Sequence, residues 1–521
     1  MPVIVHGVVA PLDPNDPSDF FAGSVLIDDQ GRVDSIRAPG EAPPAGFEDA
    51  VEVDVGDAFI YPGLIDLHSH IGYATLPLWT EPTQVTPFRH HNDWTDESTY
   101  KKDITWPSYL IAAGAPEALL VYAQVRALAG GTTAIQGWPS RNRNPVNRLV
   151  RSVDDEDVGT GNRNLFRTST LTLDIDELSA RSDHLENGEG FIYHCSEGRP
   201  DSVVTGEFED VATTNCLRQK LIAIHLNAIE ADDFRRWDER ARLAGDTGPG
   251  AVVWSPFSNL WLYGTTTDVA AAREHNVTVC LGSDWGPSGT KNLLGELKVA
   301  RLWSDHAGLG LSSFELAEMV TSSPGDTLER CWGVQTGRLV AGALADLAVI
   351  APRAADPWDN LVEAREEDVQ LVIVDGKARY GTKTLMDGCG VTRTTSVRIG
   401  SHRRRIPLVD PANPQRRWYW SRVLEGFEAV RADPAGAMPG AHGAADGHRT
   451  VAPGIATDAD PLILELDMPG PGGLRAGPPP NPSEVVVPKA PSLRHDRNWR
   501  ASLRDRGFHA GLLNGLSRFY T

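Results

Sequence analysis

The chain has 521 residues, a formal net charge of −21 at pH 7 and a sequence pI near 5.1. An acidic surface repels nucleic-acid phosphates and anionic lipid headgroups, so the composition argues against nucleic acid and membranes as partners. The five cysteines are scattered and include no CxxC pair, which is typical of a reducing compartment and argues against a thiolate zinc site. With no signal peptide and no apolar run long enough for a membrane helix, we expect a cytoplasmic protein.

The first 57 residues predict a small β layer. Short apolar runs are separated by turn residues, and "GSVLIDDQGRVDSI" places Asp-Gln-Gly between two alternating stretches, which is typical of a hairpin.

Residues 58–336 predict a (β/α) barrel. β-type runs alternate with helix-type segments, which indicates a parallel sheet covered by helices. At this length the leading prediction is a (β/α)8-type, TIM-like barrel, either regular or distorted. An open doubly wound sheet is the alternative. Seven strands are evident, so we expect an eighth to lie within 72–117 or to be reduced between 174 and 188.

The rest of the chain predicts two further parts. Residues 337–395 return to β texture in "GRLVAGALADLAVIAP" and "VQLVIVDGKARYGTK". Residues 396–521 predict an irregular extension with short helices, rich in Pro, Gly and Ala over 431–495, that wraps the body. Residues 497–518 are compatible with a terminal helix.

The stretch "LIDLHSH" (residues 64–70) ends a predicted barrel strand in two histidines. Side chains alternate along a strand, so His68 and His70 share a face, which in a barrel is the interior. Two inward imidazoles form half of a metal site, but two histidines satisfied by hydrogen bonds at a strand end would give the same pattern.

Three later strand ends favour the metal site. "FIYHCSEG" places His194 and Glu197 at one end, "LIAIHLNAIE" places His225 at the next, and "VCLGSDWG" places Asp284 at the last. Neutral imidazoles with one carboxylate bind a borderline divalent metal well, and such a metal lowers the pKa of a bound water toward ~7. A nearby carboxylate can then carry protons, and a further histidine can orient the water or the substrate.

The order of these motifs resembles the amidohydrolase superfamily. The resemblance rests on "YPGLIDLHSH", "HCSE", "IAIHLNAIEADDF", "VVWSPFSNLWLYGTT" and "LGSDWGPSGTKNLLGEL", and covers residues 1 to about 390. It is strongest to the branch that contains cytosine, guanine and S-adenosylhomocysteine deaminases and triazine hydrolases. It implies that "GALADLAVI" and "VIVDGKARYG" complete a composite β-sandwich, built from the N- and C-terminal segments beside the barrel.

The resemblance also implies roles for the strand-end residues. The ligands of a single divalent ion are then His68, His70, His194 and Asp284. Glu197 is the proton shuttle, His225 orients water or substrate, and Asp284 is also the base. Zinc is favoured over iron or manganese, and the predicted strands lack the lysine that would bridge two metals. "WSPFSN" stands where related deaminases often have "HCPxSN", and Trp285 follows the aspartate where small residues are common, so the substrate does not transfer with the motif.

Aromatic and charged residues near the barrel mouth are candidate substrate contacts. The segment 79–106, which follows the first two ligands, is called the mouth loop below because loops at this end of a barrel commonly set specificity. The candidates are Trp79, Arg89, Trp94, Trp138 and Trp285, with His90 and His91 also able to line a pocket. Fourteen tryptophans are compatible with a flat heterocyclic substrate, although lid packing, a subunit contact or a place in the apolar core explains them as well.

Together these features predict a metal-dependent hydrolase of a non-peptide C–N bond in a small molecule. Deamination of an amino-heterocycle and hydrolysis of a small or cyclic amide both fit, and deamination is favoured. Removal of another leaving group from a heterocycle, or a non-catalytic interaction protein on the same fold, are the alternatives. We also expect a homo-oligomer.

Overall fold

The computed structural model describes the chain except for residues 14–15, 96, 139–145, 160, 162–164, 171, 438–480, 482–483, 494–496, 505–509 and 521. None of the described helices is both long enough and apolar enough to cross a bilayer.

The N-terminal residues form four strands of a larger sheet. They are β1 (Val3–Val9), β2 (Phe21–Ile27), β3 (Val33–Arg37) and β4 (Val51–Pro62). The β2–β3 pair is the predicted hairpin, and Gly31 in its turn has a φ of 74°, which glycine adopts without strain. β1 pairs antiparallel with β2 and parallel with β4.

The central region holds the parallel strands. They are β5 (Leu64–Asp66), β6 (Thr132–Ile135), β7 (Arg151–Ser152), β8 (Phe166–Ser169), β9 (Gly190–Cys195), β10 (Leu221–His225), β11 (Ala251–Trp254) and β12 (Thr278–Leu281). Within the described residues they form one three-stranded sheet, β5-β6-β7, and one five-stranded sheet, β12-β11-β10-β9-β8. A parallel bridge between Ser69 and Asp284 joins the segments that follow β5 and β12, the first and last of these strands.

The prediction for the eighth strand was wrong in position. Among the described residues, 72–117 contain only helical elements and loops, and 174–188 contain a helix. The additional strand is the two-residue β7, which pairs in parallel with β6.

Helices connect and cover the parallel strands. They are α1 (His91–Thr95), α2 (Ser98–Tyr100), α3 (Trp106–Gly114), α4 (Pro116–Ala129), α5 (Ile175–Glu186), α6 (Thr205–Thr213), α7 (Ala231–Leu243), α8 (Pro256–Tyr263), α9 (Val269–Glu274), α10 (Leu293–Ala307), α11 (Ser313–Glu318) and α12 (Ser322–Trp332), with a 3₁₀-helix at Ile71–Tyr73 and a π-helix at Lys101–Thr105. α4 ends at Gly130, its C-terminal cap.

The C-terminal residues return to the first sheet. Their elements are β13 (Leu347–Ile350), β14 (Val369–Val374), β15 (Lys377–Gly381), β16 (Thr395–Ile399), β17 (His402–Ile406), β18 (Val409–Asp410), β19 (Asn413–Arg417), α13 (Pro357–Glu363), α14 (Lys383–Gly388), α15 (Trp420–Ala432), α16 (Pro434–Ala437), α17 (Arg497–Arg504) and α18 (Ala510–Leu513), followed by a 3₁₀-helix at Asn514–Tyr520. One sheet has the strand order β16-β17-β15-β14-β13-β4-β1-β2-β3, so segments from both ends of the chain share it. It continues past the predicted boundary at residue 395.

The C-terminal extension packs on the body where it is described. The Trp499 ring stacks on Phe257 of α8 with centroids 5.4 Å apart, and the Tyr122 hydroxyl donates to the Pro491 carbonyl at 2.5 Å. Most of the predicted Pro/Gly-rich tail lies outside the described residues.

One apolar cluster connects the two parallel sheets. It takes buried side chains from β5, β6 and from every strand between β8 and β12, including Ile65, Ala134, Ile192, Ile224 and Val253. Because all these strands are parallel, their carboxyl ends, which bear the candidate site, lie on one side of this cluster.

Candidate metal centre and active site

The two histidines of the first motif converge although the strand stops before them. β5 ends at Asp66, yet the imidazole centroids of His68 and His70 are 4.8 Å apart. The Asp284 N–H donates to the His68 carbonyl at 2.8 Å, and the His70 N–H donates to the Asp284 carbonyl at 3.3 Å. These backbone bonds fix the aspartate against both histidines.

Asp66, two residues before His68, supports this arrangement. Its carboxylate accepts the Ser283 N–H at 3.1 Å, the Ser283 hydroxyl at 2.5 Å and the His68 N–H at 3.2 Å. Gly282 is required for the close approach, because a Cβ there would lie 2.7 Å from the His68 Cβ.

Asp284 faces the imidazoles of the first motif. Its Oδ1 lies 2.8 Å from His68 Nε2 and 3.6 Å from His70 Nε2. Burial opposes ionisation of this carboxyl, but the adjacent His68 imidazole holds its pKa well below the usual range. The carboxylate is therefore ionised at neutral pH and able to bind a cation.

His194, at the end of β9, turns a ring nitrogen toward the same point. The Nδ1–H donates to the Ser169 carbonyl at 3.3 Å, which leaves Nε2 with its lone pair, 3.4 Å from His70 Nε2. Burial and the nearby His68 lower the pKa of His70 to about 3 and that of His194 well below its usual value. Both rings are therefore neutral, the form that binds metal.

The donor set fits a divalent metal ion. The His68 ring is completely buried, its Nδ1 has no hydrogen-bond partner among the described residues, and its Nε2 faces Asp284 Oδ1 at 2.8 Å. Ligand atoms of His68, His70 and Asp284 lie within 4.8 Å of one another, as do those of His68, His194 and His225. Converging lone pairs with a buried carboxylate are unfavourable without a cation between them, and imidazole plus carboxylate is the donor set that zinc and similar ions bind.

His225, at the end of β10, is held as a neutral hydrogen-bond donor. Burial lowers its pKa to about 3. The Asn259 amide faces its Nδ1 at 3.1 Å, and the Thr266 hydroxyl donates to the amide oxygen of Asn259 at 3.3 Å, so Nδ2 is the donor to His225. The proton of His225 is then on Nε2, which lies 3.7 Å from Glu197 Oε2.

Glu197 is held by a tyrosine and a tryptophan. The Trp94 Nε1–H donates to the Tyr263 hydroxyl at 2.8 Å, and that hydroxyl donates to Glu197 Oε1 at 2.6 Å. Burial, and then the charge of Asp284, raise the pKa of Glu197 to about 8. At pH 7 the carboxyl therefore keeps its proton, and because Oε1 accepts from Tyr263, the proton is on Oε2.

Three residues of the site have strained backbone conformations. Ser196, His225 and Asp284 have φ angles of 53°, 73° and 57°, which non-glycine residues rarely adopt. Such strain is concentrated at functional sites, where surrounding contacts maintain it.

The cavity beside these residues is small, at about 10 Å³, which is roughly the space for one water. Its lining residues are His70, Trp94, His194, Glu197, His225, Ser258, Leu262, Asp284, Trp285 and Ser288. Of the five predicted substrate contacts, Trp94 and Trp285 therefore line the cavity, and their rings stack with centroids 5.0 Å apart.

The other three predicted substrate contacts lie elsewhere. Trp79 stacks on Phe88 at 6.2 Å inside the mouth loop, and the Trp138 ring is buried outside the cavity lining. Arg89 has 61% of its side chain exposed and contacts Asp201 on the surface. Trp79 and Trp138 contribute to the apolar core, which is the alternative that the sequence left open.

Three residues of the site were not predicted as such: Tyr263, Asn259 and Glu207. Tyr263 and Asn259 occur in "SPFSNLWLYG", and both lie on α8, four residues apart, so helical spacing places them on one face. Glu207, on α6, accepts the Ser196 N–H at 2.7 Å, and burial raises its pKa to about 7. A buried glutamate on an amphipathic helix gives no signal of this contact.

The chain is similar to known proteins in sequence and in fold. A model described as the amidohydrolase family matches residues 182–379. A 5-methylthioadenosine/S-adenosylhomocysteine deaminase of Desulfitobacterium hafniense (strain Y51) is 23% identical over 419 residues, which cover 74% of this chain and 94% of that protein.

Two solved structures share the fold. Guanine deaminase from Bradyrhizobium japonicum superposes with a TM-score of 0.54 at 18% identity, covering 73% of this chain and 99% of that one. A variant of atrazine chlorohydrolase from Arthrobacter aurescens, complexed with zinc and atraton, superposes with a TM-score of 0.57 at 14% identity, covering 72% and 94%. The chain is similar to the amidohydrolase family over residues 182–379, and it is a hydrolase that acts on carbon–nitrogen bonds other than peptide bonds.

Proposed function

We propose that the protein is a deaminase of amino-substituted heterocycles, purines or their nucleosides, that uses a single zinc ion. The observation that carries the proposal is the position of Glu197. Its protonated Oε2 is beside the cluster of His68, His70, His194 and Asp284, 3.7 Å from the Nε2–H of His225. The similarity to deaminases named for 5-methylthioadenosine, S-adenosylhomocysteine and guanine supports an amino-purine substrate.

The four cluster residues would hold the metal. A divalent ion there supplies a water that ionises near neutral pH. Asp284, which is ionised in the site, is the base that would take a proton from a water held there. Glu197 donates its Oε2 proton to the departing amino nitrogen, which leaves as ammonia. The Nε2–H of His225 donates a hydrogen bond to the reacting heterocycle and fixes its orientation.

A flat substrate fits the aromatic wall of the cavity. The Trp94–Trp285 stack, at an interplanar angle of 27°, offers a face on which a heterocycle binds. Because the cavity has room for about one water, the substrate enters only when the mouth loop moves.

The fold supports a closed barrel for this site. The Ser69–Asp284 bridge and the apolar cluster shared by both parallel sheets are compatible with eight strands in one ring. We propose the (β/α)8 barrel with the nine-stranded sheet as its companion layer, divided at the domain boundaries predicted from the sequence except that β16 and β17 join the sheet.

Ammonia release across a panel of compounds tests the function. Zinc-loaded protein is incubated with adenosine, guanine, cytosine, an amino-triazine and several small amides, and ammonia is measured by a coupled dehydrogenase assay. We expect release from one of the amino-heterocycles and none by the Glu197→Gln protein. Ring-opened or acid products would replace deamination by amide hydrolysis, and release of another leaving group from the triazine would replace it by displacement.

A further inference from the structure

Glu207 lies behind the proton-transfer site and has a buried carboxyl group with two protein donors. Only 7% of its side chain is exposed. Its Oε2 accepts the Ser196 N–H at 2.7 Å, and its Oε1 accepts the Thr172 hydroxyl at 2.9 Å. Glu207 lies on α6, outside every sequence motif that carries the chemistry proposed above.

The hydrogen bond from the Ser196 N–H to Glu207 holds a strained peptide. Ser196 is completely buried, has a φ of 53° and directly precedes Glu197. A non-glycine residue keeps this conformation only when surrounding contacts maintain it. The direction in which the chain leaves β9 sets the position of the Glu197 carboxyl, so the acceptor of the Ser196 N–H helps to fix the acid.

Glu207 is also connected to the Glu197 carboxyl through His91, a residue of the mouth loop. His91 Nε2 lies 3.9 Å from Glu207 Oε1 and 3.4 Å from the Thr172 hydroxyl oxygen, while His91 Nδ1 lies 3.9 Å from Glu197 Oε2. The Thr172 hydroxyl donates to Glu207, so its oxygen accepts from an Nε2–H of His91. The lone pair on Nδ1 then faces the protonated oxygen of Glu197.

Backbone contacts place His91 in this position. The His91 N–H donates to the Glu197 carbonyl at 3.3 Å, and His90 and Gly198 form an antiparallel bridge. Gly198 is needed there, because a Cβ would lie 2.6 Å from the Arg89 carbonyl oxygen.

We propose that Glu207 is a positioning residue for the proton donor, acting on Glu197 through the Ser196 peptide and through His91. The inference rests on the proposed function for the role of Glu197, and it assigns Glu207 no contact with substrate. The two routes are separable, because glutamine at position 207 keeps an acceptor for Ser196 but has no charge to offer His91.

Steady-state kinetics of zinc-loaded variants test the proposal. We expect Glu207→Ala to lower kcat about 100-fold with KM and bound metal unchanged. Misplacing the Glu197 proton donor slows the chemical step but does not weaken substrate binding. Glu207→Gln should recover most of this loss and remain within about tenfold of wild type. Glu209→Gln, on the same helix with 54% of its side chain exposed, is the matched control and should keep the wild-type kcat.

A double-mutant cycle tests the route through His91. The losses caused by Glu207→Gln and His91→Asn should not add, because both remove the same interaction with Glu197. Additive losses would overturn the role of His91.

Hydrogen–deuterium exchange at the Ser196 amide tests the position without any substrate. We expect faster exchange in Glu207→Ala than in Glu209→Gln, both compared at the same global stability. Wild-type exchange at Ser196, or a loss in Glu207→Ala confined to KM or metal content, would overturn the proposal. A wild-type protein inactive on the whole panel but with this exchange pattern would instead refute the proposed function alone.

Discussion

The hydroxyl of Tyr263 offers the most direct test of how the acid is held. In Tyr263→Phe, Glu197 Oε1 loses its donor at 2.6 Å and the Trp94 indole N–H loses its acceptor at 2.8 Å. The ring itself is fully buried and its packing stays, so the change isolates the two hydrogen bonds.

The loss of these two hydrogen bonds in Tyr263→Phe sets the expected decrease in stability and in kcat. Each of the two buried polar groups left without a partner costs about 1–3 kcal/mol, so we expect the free energy of unfolding to fall by about 2–6 kcal/mol. Glu197 is then free to rotate, and kcat should fall by about 10- to 100-fold.

The pH dependence has a definite sign. A hydrogen bond from Tyr263 stabilises the ionised carboxylate, so its removal raises the pKa of Glu197 above its value of about 8. The protonated form is the donor, and activity is lost as pH rises through this pKa. The alkaline limb of the kcat profile should therefore move to higher pH in Tyr263→Phe.

Tyr61 provides a matched control. Its hydroxyl also makes two buried hydrogen bonds, donating to the Pro357 carbonyl at 2.6 Å and accepting from Asn360 Nδ2 at 3.1 Å, in the nine-stranded sheet. Tyr61→Phe should lose similar stability in urea unfolding and keep the wild-type kcat. Equal losses of kcat in the two variants, or an unmoved alkaline limb in Tyr263→Phe, would refute the reasoning.

Three further outcomes follow from the site. Asp284→Asn should reduce bound metal from about one ion per chain to near zero by mass spectrometry, and chelator should lower the melting temperature of wild type but not of this variant. Asn259→Ala should lower kcat about tenfold with KM unchanged, because the His225 ring loses the donor that fixes its tautomer. Glu296 is a completely buried residue of α10 whose carboxyl accepts the Phe257 N–H at 3.2 Å. Burial raises its pKa to about 8, so the wild-type stability relative to Glu296→Gln should fall as pH rises from 5 to 8, by up to about 1.4 kcal/mol per unit; a constant difference in urea unfolding would contradict this.

The sequence predicted the site residues that lie at or just after the end of a recognisable strand. His194, His225 and Asp284 each follow an apolar run that is a strand, and the carboxyl ends of parallel strands meet at one edge. Their convergence could therefore be predicted without coordinates. His68 and His70 converge for a different reason, since β5 ends at Asp66 and the backbone of Asp284 fixes their positions.

Other features depend on long-range packing, which leaves no local pattern. β7 has only two residues, too few to show a period, and exists because β6 pairs with it. Trp94 and Trp138 look equivalent in the sequence, yet one lines the cavity and the other is buried outside its lining. Homo-oligomer formation and a cytoplasmic location stay predictions.

The contacts of Trp94 connect closure of the mouth loop to the acid. When the loop is closed, its indole N–H occupies the acceptor site of the Tyr263 hydroxyl and so directs the hydroxyl proton toward Glu197. In the open loop proposed above for substrate entry, this direction would be lost. Proton donation would then be coupled to closure, which would keep the acid inactive while water can enter.

Trp94→Phe tests this coupling. A phenyl ring still packs against Trp285, but it has no N–H for Tyr263, so we expect kcat to fall about fivefold, the equivalent of one hydrogen bond of about 1 kcal/mol, with the alkaline limb moved in the same direction as in Tyr263→Phe. Trp106→Phe, in the same loop but packed on Tyr109 and outside the cavity lining, should leave kcat unchanged. A change in KM alone for Trp94→Phe would mean that the indole only binds substrate, and that the Tyr263 hydroxyl is directed by Glu197 itself.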